Sequence, residues 1–295
     1  MLLLLSLLLW AAVCCPAGAD VGNFSSCLDF FYKSWPPKGL TGTPLCQRFL
    51  NQYRFASLYS RPRRSPWFSA YKYEMPLGKR PRKSWKFEPQ LVNSGADGNM
   101  SPFPPGPLDW NLVESQAVNP DYFNSTYSRG HLNPSLHHRS HDDRVATFTL
   151  TNAVPQKKWS NDGPWAFLEQ SINRTLGTYC LGASYIVTGI MPYVKDEHWL
   201  KNRVAVPEYM WSAYCCPNYR HNLPRDLSDN FPTYAAIGRN DPNSTEEIVP
   251  VDPKGELHFR GYDVRTMPLK MLEMYLSERF GSDIRLFYQS CPGLH

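Results

Sequence analysis

The centre of the chain carries a small set of polar residues that could place a general base beside a metal ion. His131 follows Ser128-Arg129-Gly130, and Asn152, Asn161 and Glu169 come after it. A histidine side chain titrates near neutral pH and can take a proton from water. Amide and carboxylate oxygens are the ligands that a hard divalent cation prefers. The set therefore predicts one base and one cation acting together.

The residues between these positions predict the elements that must hold them. An alternating run over 146–152 predicts a strand. Asp162 as N-cap and Pro164 in the first turn predict a helix that runs to about residue 176. Its apolar positions recur every three or four residues and define one buried stripe, made of Trp165, Leu168, Ile172 and Leu176. Glu169 falls inside that stripe, where a carboxylate needs a partner because an unpaired buried charge is costly.

These residues resemble the site of the DNA/RNA non-specific endonucleases, the ββα-metal or His-Me finger family. The signature of that family is Asp-Arg-Gly-His, then a metal-binding Asn about thirty residues later, then a Glu. Asn161 lies 30 residues after His131, and Glu169 lies 8 residues after Asn161. The resemblance extends from about Phe24 to Cys291. Within it, segments 146–156 and 206–216 are similar to the vertebrate endonuclease domain-containing 1 group.

The resemblance implies a fold, an activity and a role for each site residue. It implies hydrolysis of DNA and RNA to 5′-phosphorylated fragments. Base preference would be small, because the protein would contact the phosphates rather than the bases. His131 would be the general base and Asn161 the metal ligand. The cofactor would be Mg²⁺, with Mn²⁺ as a substitute. Glu169 would hold a metal-bound water, Arg129 would stabilise charge, and Asn152 would orient His131 or a metal water.

Ser128 is a departure from the family pattern, because it stands where the motif has Asp. A serine can form hydrogen bonds, but it brings no negative charge to fix Arg129 or to raise metal affinity. Loss of an orienting group around a metal site lowers activity about 10–100-fold. Three interpretations remain open: a weakened nuclease, a nuclease-fold protein that acts in extracellular binding or signalling, and a disulfide-rich adhesion module.

The first residues indicate secretion. Residues 1–19 form an apolar run that ends in Ala17-Gly18-Ala19, which is typical of a cleaved signal peptide. The alternative is a membrane anchor, but the run is short for a span and polar residues follow it directly. The expectation is a secreted mature chain of residues 20–295 that has no membrane anchor. It is expected to form one large domain with an N-terminal extension tied to it by a disulfide. The net charge of +5 fits a polyanionic substrate, but many secreted proteins are equally basic.

Cysteines and glycosylation motifs support the same compartment. Six cysteines remain after the predicted cleavage, and an even number in a secreted chain indicates disulfides, with fifteen possible pairings. Cys215 and Cys216 are adjacent, so they are expected to bond to separate partners. No cysteine pair has zinc-finger spacing. Five N-glycosylation sequons also indicate secretion, and they lie at Asn23, Asn99, Asn124, Asn173 and Asn243.

Two stretches before the motif could contact a substrate. The first is the basic cluster over 61–64, which is either a solvated loop or a phosphate contact. The family places an arginine near the scissile phosphate from an early segment, and the resemblance therefore assigns Arg64 to substrate binding. The second is 76–120, rich in Pro and Gly and basic near its start, which predicts a long surface loop over the groove or a decoration.

The remaining patterns complete the predicted fold. A short helix is expected over about 45–58 and a strand over 69–73. Further strands are expected over 185–191, 204–214 and 234–238, and a final helix over about 268–280 with Gly281 as its stop. The histidine-rich tract over 137–141 predicts an exposed polar turn. Because strands and helices do not alternate regularly, the fold class is α+β, with a mixed or antiparallel central sheet flanked by helices.

Overall fold

The structure is a computed structural model that describes residues 20–82 and 84–292. The predicted signal peptide, residues 1–19, and Lys83 of the basic loop lie outside the described residues. The strands are β1 (Thr43–Phe49), β2 (Gln52–Ser60), β3 (Ser65–Tyr73), β4 (Lys86–Phe87), β5 (Ser101–Pro102), β6 (Tyr127–His131), β7 (Ala153–Lys157), β8 (Ser184–Met191), β9 (Trp199–Leu200), β10 (Val204–Ala205), β11 (Tyr209–Cys215), β12 (Thr233–Arg239) and β13 (Val264–Met267).

The helices are short apart from two. They are α1 (Pro89–Val92), α2 (Trp110–Ser115), α3 (Asn119–Tyr122), α4 (His141–Ala146), α5 (Lys158–Asn161), α6 (Pro164–Tyr179), α7 (Arg225–Ser228) and α8 (Leu269–Phe280). Turns of 3₁₀ helix occur at Ser25–Phe30, Tyr32–Ser34, Ser135–His137, Leu150–Asn152 and Tyr288–Ser290. In the described part of the chain, no helix is long and apolar enough to cross a membrane.

The centre of the described chain is a seven-stranded sheet in the order β1-β2-β3-β8-β11-β12-β13. Every neighbouring pair in it is antiparallel. A separate antiparallel pair joins β6 to β7, with Ser128 opposite Gln156 and His131 opposite Ala153. This pair and α6 together make the ββα unit that carries the predicted site. The predicted α+β class with an antiparallel sheet is confirmed.

Helices cover both faces of the central sheet. The α6 side chains pack on one face with Tyr214 of β11, and the α8 side chains pack on the other face with Trp211. Successive residues of a strand point to opposite faces, so both sides of β11 are apolar and all of its residues are buried. The site helix is therefore fixed by a core that extends through the sheet.

The two long helices follow their predicted periodicity. The predicted stripe of α6 is buried at all four positions: Trp165, Leu168, Ile172 and Leu176. The start of this helix was predicted wrongly. Asp162 ends the preceding short helix, and Gly163 is the N-cap of α6. Gly281 ends α8 in the left-handed conformation, as predicted, at φ 63°.

The predicted strand over 146–152 is wrong. Residue 146 ends α4, residues 150–152 form a 3₁₀ turn, and the strand begins only at Ala153. The threonines that produced the alternating pattern are buried, so the pattern does not divide a wet face from a dry one. Their hydroxyls instead bond inside the protein, with Thr147 donating to Arg144 O and Thr151 to Glu88 Oε1.

The helix predicted over 45–58 is also wrong, because this stretch is the hairpin of β1 and β2. Leu50 and Asn51 both have positive φ, at 52° and 59°, and they close the turn between the strands. A two-residue turn of this kind matches the twist of paired strands. The strand predicted over 69–73 lies within β3, and those over 185–191 and 234–238 are β8 and β12.

The six cysteines of the described residues form three disulfides: Cys27–Cys46, Cys180–Cys216 and Cys215–Cys291. The adjacent cysteines bond to separate partners, as predicted. The first bridge ties the N-terminal segment to β1. The second connects the end of α6 to the end of β11, so the site helix is crosslinked to the central sheet.

Candidate active site

A cavity of about 720 Å³ opens between the β6–β7 pair, α6 and the loop that precedes β4. Four of the predicted site residues line it: Arg129, His131, Asn161 and Glu169. Ser128 of the motif lines it as well. The structure thus brings together residues that are 41 positions apart in the sequence, counted from Ser128 to Glu169.

His131 ends β6, and two aromatic rings hold its imidazole at the cavity wall. The ring centroid lies 5.0 Å from that of Trp85 and 4.9 Å from that of Phe148, whose plane is nearly perpendicular at 88°. The imidazole is buried, although it belongs to the cavity lining. The packing restricts the ring at the cavity wall, which is the position that a general base requires.

Gly130 of the motif permits close packing of β6 on β7. A Cβ atom at this position would lie 2.6 Å from Cβ of Gln156, closer than side chains can approach. Gln156 is itself fixed, because its Nε2 donates a 3.0 Å hydrogen bond to Ser160 Oγ. The glycine of the motif therefore has a steric reason at this site.

Ser128 forms a direct link to the predicted metal ligand. Asn161 Nδ2 donates to Ser128 Oγ at 2.9 Å, and Ser128 Oγ donates to the Gln156 carbonyl oxygen at 3.0 Å. One hydroxyl thus accepts one hydrogen bond and donates another. Because the amide nitrogen faces Ser128, Asn161 keeps its oxygen for another partner. The serine still orients Asn161, although it adds no charge.

Glu169 lies on the inward side of α6, half-buried, in the cavity wall. Burial raises the pKa of the Glu169 carboxyl to about 8, against the lowering effect of Arg80. A cation beside this carboxylate would favour its charged form. A bound cation is therefore the kind of partner that a carboxylate at this position needs.

His137 is buried against the backbone of Glu169, so the prediction of an exposed histidine turn is wrong. Its Nε2 donates to the Glu169 carbonyl oxygen at 2.9 Å, and the Tyr71 hydroxyl donates to its Nδ1 at 3.0 Å. His137 and its neighbour His138 are both buried, whereas His141 is exposed. Burial lowers the pKa of His137 to about 4. The sequence indicated an exposed tract because the partners of its polar side chains lie far away in the chain and come close only on folding.

Arg129 is held by aromatic rings and by Asn119. Its guanidinium lies 5.5 Å from the ring centroid of Trp85 and 5.1 Å from that of Tyr122, and it donates to Asn119 Oδ1 at 3.0 Å. Burial lowers its pKa. Within residues 20–82 and 84–292, no carboxylate forms an ion pair with it. Its positive charge is therefore not neutralised at the cavity.

Asn152 does not lie in the cavity wall, so a role in contact with a metal water does not fit its position. It is fully buried, and its side chain binds backbone on either side. Oδ1 accepts from Asn133 N at 2.9 Å, and Nδ2 donates to the carbonyl oxygens of Asn133 and Thr147, both at 2.9 Å. Asn152 thus fixes the chain that leaves His131, which is an orienting role through the backbone.

Arg64 also lies away from the cavity. Its guanidinium donates to Glu114 Oε2 at 2.7 Å and to the Arg203 carbonyl oxygen at 3.3 Å. The assignment of Arg64 to substrate binding does not match this placement, because its donors are used in an internal ion pair. Sequence spacing could not show this, since Glu114 is 50 residues away.

Arg80 occupies the cavity instead, in the basic stretch at the start of the long loop. Arg144 anchors that loop by donating to the carbonyl oxygens of Leu77 and Gly78. The basic cluster near the start of 76–120 was visible in the sequence as a possible cover of the groove. The rest of that stretch is not structureless, because it contains β4, β5 and the helices α1, α2 and α3.

The donor set fits a hydrated divalent cation better than a metal held by many protein ligands. Asn161 and Glu169 supply hard oxygens to the same cavity. In the described residues, no group of three or more His, Cys, Asp or Glu side chains is placed to hold a metal ion. Mg²⁺ keeps several waters and uses few protein ligands, so two oxygen donors are compatible with it.

Comparisons with known proteins agree with this geometry. A family model described as DNA/RNA non-specific endonuclease matches residues 39–267. The human endonuclease domain-containing 1 protein is 36% identical over 207 residues, 68% of this chain and 40% of that protein. The mouse protein of the same name is 36% identical over 228 residues, 73% of this chain and 43% of that protein. The chain thus spans about two fifths of the length of these curated relatives.

More distant similarities extend the comparison. Bovine mitochondrial endonuclease G is 35% identical over 109 residues, 33% of this chain and 36% of that protein. Among solved structures, a chain of the EndoG/EndoGI complex superposes with a TM-score of 0.50 and 20% identity. The superposition covers 77% of this chain and 81% of that chain. At this identity the likeness concerns the fold.

Proposed function

Because the chain belongs to the DNA/RNA non-specific endonuclease family and has the α+β fold of a ββα-metal nuclease, we propose that it is a secreted, Mg²⁺-dependent endonuclease. It would hydrolyse phosphodiester bonds of DNA and RNA with little sequence preference. The observation that carries the proposal is the shared cavity in which His131, Asn161 and Glu169 meet with Arg129 and Arg80.

Each residue of the cavity has a proposed task. His131 takes the proton from the attacking water, since aromatic packing fixes its ring at the cavity wall. Arg129 and Arg80 neutralise phosphoryl oxygens, because preorganised charges stabilise the transition state without further rearrangement. Asn161 would hold the cation, and Glu169 would hold a water bound to it. When bound, Mg²⁺ supplies charge stabilisation to the phosphoryl group and help for the leaving oxygen.

For three other residues, we propose tasks that differ from those that the resemblance implies. Asn152 is proposed as a positioning residue that fixes the backbone after His131. Ser128 is proposed to orient Asn161 through its hydrogen bond. For substrate binding, we propose Arg80 in place of Arg64, because Arg80 lines the cavity and Arg64 pairs with Glu114.

Secretion is proposed from the leader and the cysteines together. Three disulfides pair the six cysteines of the described residues, and disulfides persist in oxidising compartments. Residues 1–19 would then be removed as a signal peptide, and the described residues would fold as one domain. Glycans at the sequons would accompany the same route.

Plasmid nicking by the purified mature protein tests the proposal. Cleavage with Mg²⁺ should stop in EDTA and in His131→Ala, while Arg64→Ala should retain it. A folded wild type that cleaves neither plasmid nor RNA with Mg²⁺ or Mn²⁺, even after removal of glycans, would contradict it. The alternative would then hold, a nuclease fold that acts in extracellular binding or signalling, and Ser128 is the residue that favours it.

A further inference from the structure

An exposed aromatic patch adjoins the cavity at the junction of α5 and α6. We name it the rim patch, and it consists of Trp159, Phe167, His258 and Phe259. Trp159 is 45% exposed and Phe167 is 53% exposed. Large aromatic side chains rarely stay this exposed without a binding role when they are grouped together.

The rings of the rim patch hold one another in place. Phe259 lies edge-on to Phe167, with centroids 5.8 Å apart, and 6.3 Å from the centroid of Trp159. His258 lies 5.3 Å from Trp159. Phe259 is seated on Gly163, where a Cβ atom would lie 2.5 Å from its ring. The patch is thus a built surface, and its exposed rings do not depend on a mobile side chain.

Two residues of the rim patch are chain neighbours of residues that line the cavity. Trp159 stands between Lys158 and Asn161, which both line the cavity, and Phe167 follows Ala166, which also lines it. The Lys158 ammonium lies 5.4 Å from the Trp159 ring centroid. A cation and a stacking surface therefore occur together within reach of the proposed phosphodiester site.

We infer that the rim patch stacks unpaired bases of a single-stranded nucleic acid whose backbone enters the cavity. Every base has a π-face, so stacking on aromatic side chains tolerates any sequence. Bases inside a duplex are already stacked on each other, which prevents them from using such a surface. The inference rests on the proposed function, and it adds a preference for single-stranded over duplex substrates.

The chemistry of the patch favours a nucleic acid over other ligands that aromatic rings bind. Lys158 is suited to a phosphate next to a stacked base, whereas a neutral sugar chain has no use for the ammonium. His258 pairs with Glu256 at 3.4 Å, so the nearby carboxylate has a partner of its own. A neutral polysaccharide is the competing occupant, and it is tested as such.

Binding measurements separate this inference from catalysis. A fluorescein-labelled oligothymidylate and a duplex of equal length are titrated into His131→Ala protein with Mg²⁺, and anisotropy gives both dissociation constants. Adding Trp159→Ala should weaken single-strand binding about 10-fold, since loss of one stacking partner has an effect of that order. Duplex binding should change by less than about 2-fold, because duplex bases do not reach the rings.

Three further variants control for side effects on folding or on Asn161. Trp159→Phe should preserve most single-strand binding. Phe167→Ala should weaken single-strand binding, and it takes the place of Trp159→Ala as the test variant if Trp159→Ala fails to fold. Trp110, which is 72% exposed and does not line the cavity, provides the matched control. Trp110→Ala should leave both constants unchanged.

The outcomes distinguish this inference from the proposed function. Equal loss of single-strand and duplex binding, no loss of either, or binding of a neutral polysaccharide in place of the oligonucleotide would overturn the rim patch as a base-stacking surface. A wild type that cleaves nothing, while Trp159→Ala still weakens single-strand binding selectively, would refute catalysis and support the rim patch.

Discussion

Ser128 accepts a hydrogen bond from Asn161, with Asn161 Nδ2 2.9 Å from Ser128 Oγ. The same hydroxyl donates to the Gln156 carbonyl oxygen across the β6–β7 pair. A residue that departs from the family motif thus contacts the side chain proposed to bind the cation. What the serine lacks is charge, and what it retains is the orientation of the amide.

Removing this link should weaken the enzyme without unfolding it. Ser128→Ala takes away the acceptor of Asn161 Nδ2, so the amide loses its fixed orientation. We expect kcat/KM to fall about 10-fold and the Mg²⁺ concentration for half-maximal rate to rise, as for other orienting groups around metal sites. Ser128→Asp keeps an acceptor and adds negative charge, so half-maximal rate should need less Mg²⁺. An unchanged Mg²⁺ dependence in both variants would count against the orienting role.

Arg80 and Arg64 should respond oppositely to the same substitution. Arg80→Ala removes a cationic group from the cavity and should lower kcat/KM by on the order of 10²-fold, as for other transition-state charge donors. Arg64→Ala breaks an ion pair with Glu114 outside the cavity and should leave kcat/KM nearly unchanged. Initial rates on one plasmid substrate compare the two. A larger loss in Arg64→Ala would return that residue to the substrate site.

The two asparagines should separate stability from activity. Asn152→Ala leaves buried groups of Asn133 and Thr147 without a partner and should lower the free energy of unfolding by about 3 kcal/mol. Asn161→Ala should lower activity while it changes the free energy of unfolding by about 0.5 kcal/mol or less. Urea unfolding and nicking rates are measured on both variants. If Asn152→Ala proved as stable as wild type, its buried contacts would have little weight.

Two histidines that are buried without charge should each contribute a loss of stability in mild acid. Burial lowers the pKa of His137 from 6.5 to about 4, and of His138 to about 3. Below pH 6.5 the unfolded chain binds protons that the folded chain does not, so the stabilisation is complete above pH 6.5 and is lost toward pH 4. Between pH 7 and pH 5, His137 alone should account for about 2 kcal/mol of the loss.

A pair of variants isolates this contribution from that of the carboxylates. His137→Gln should remove this contribution, so that its free energy of unfolding at pH 5, relative to that at pH 7, should be higher than the wild-type value. His141→Gln is the matched control, since His141 is exposed and its removal should leave the pH dependence as it was. Urea titrations at the two pH values give the comparison. Identical pH dependence in wild type and His137→Gln would show that His137 is not buried in its neutral form.

Features of this protein that depend on local spacing could be predicted from the sequence. The motif at Ser128–His131, the buried stripe of α6 and the stop of α8 follow from residue types a few positions apart. Helix periodicity is a local property, so Trp165 and Leu176 could be assigned to one face before any contact was known. The spacing of eight residues between Asn161 and Glu169 was also visible in the sequence, although Asn161 ends α5 and Glu169 lies in α6.

Which polar residues line the cavity and which are buried elsewhere in the protein depends on the tertiary structure. Asn152, His137 and Arg64 find their partners at sequence distances of 19, 66 and 50 residues. Such pairings depend on how strands and loops pack, and a single sequence carries no local signal for them. The threonine run over 147–151 failed as a strand for this reason, because burial on all sides removes the contrast that an alternating pattern records.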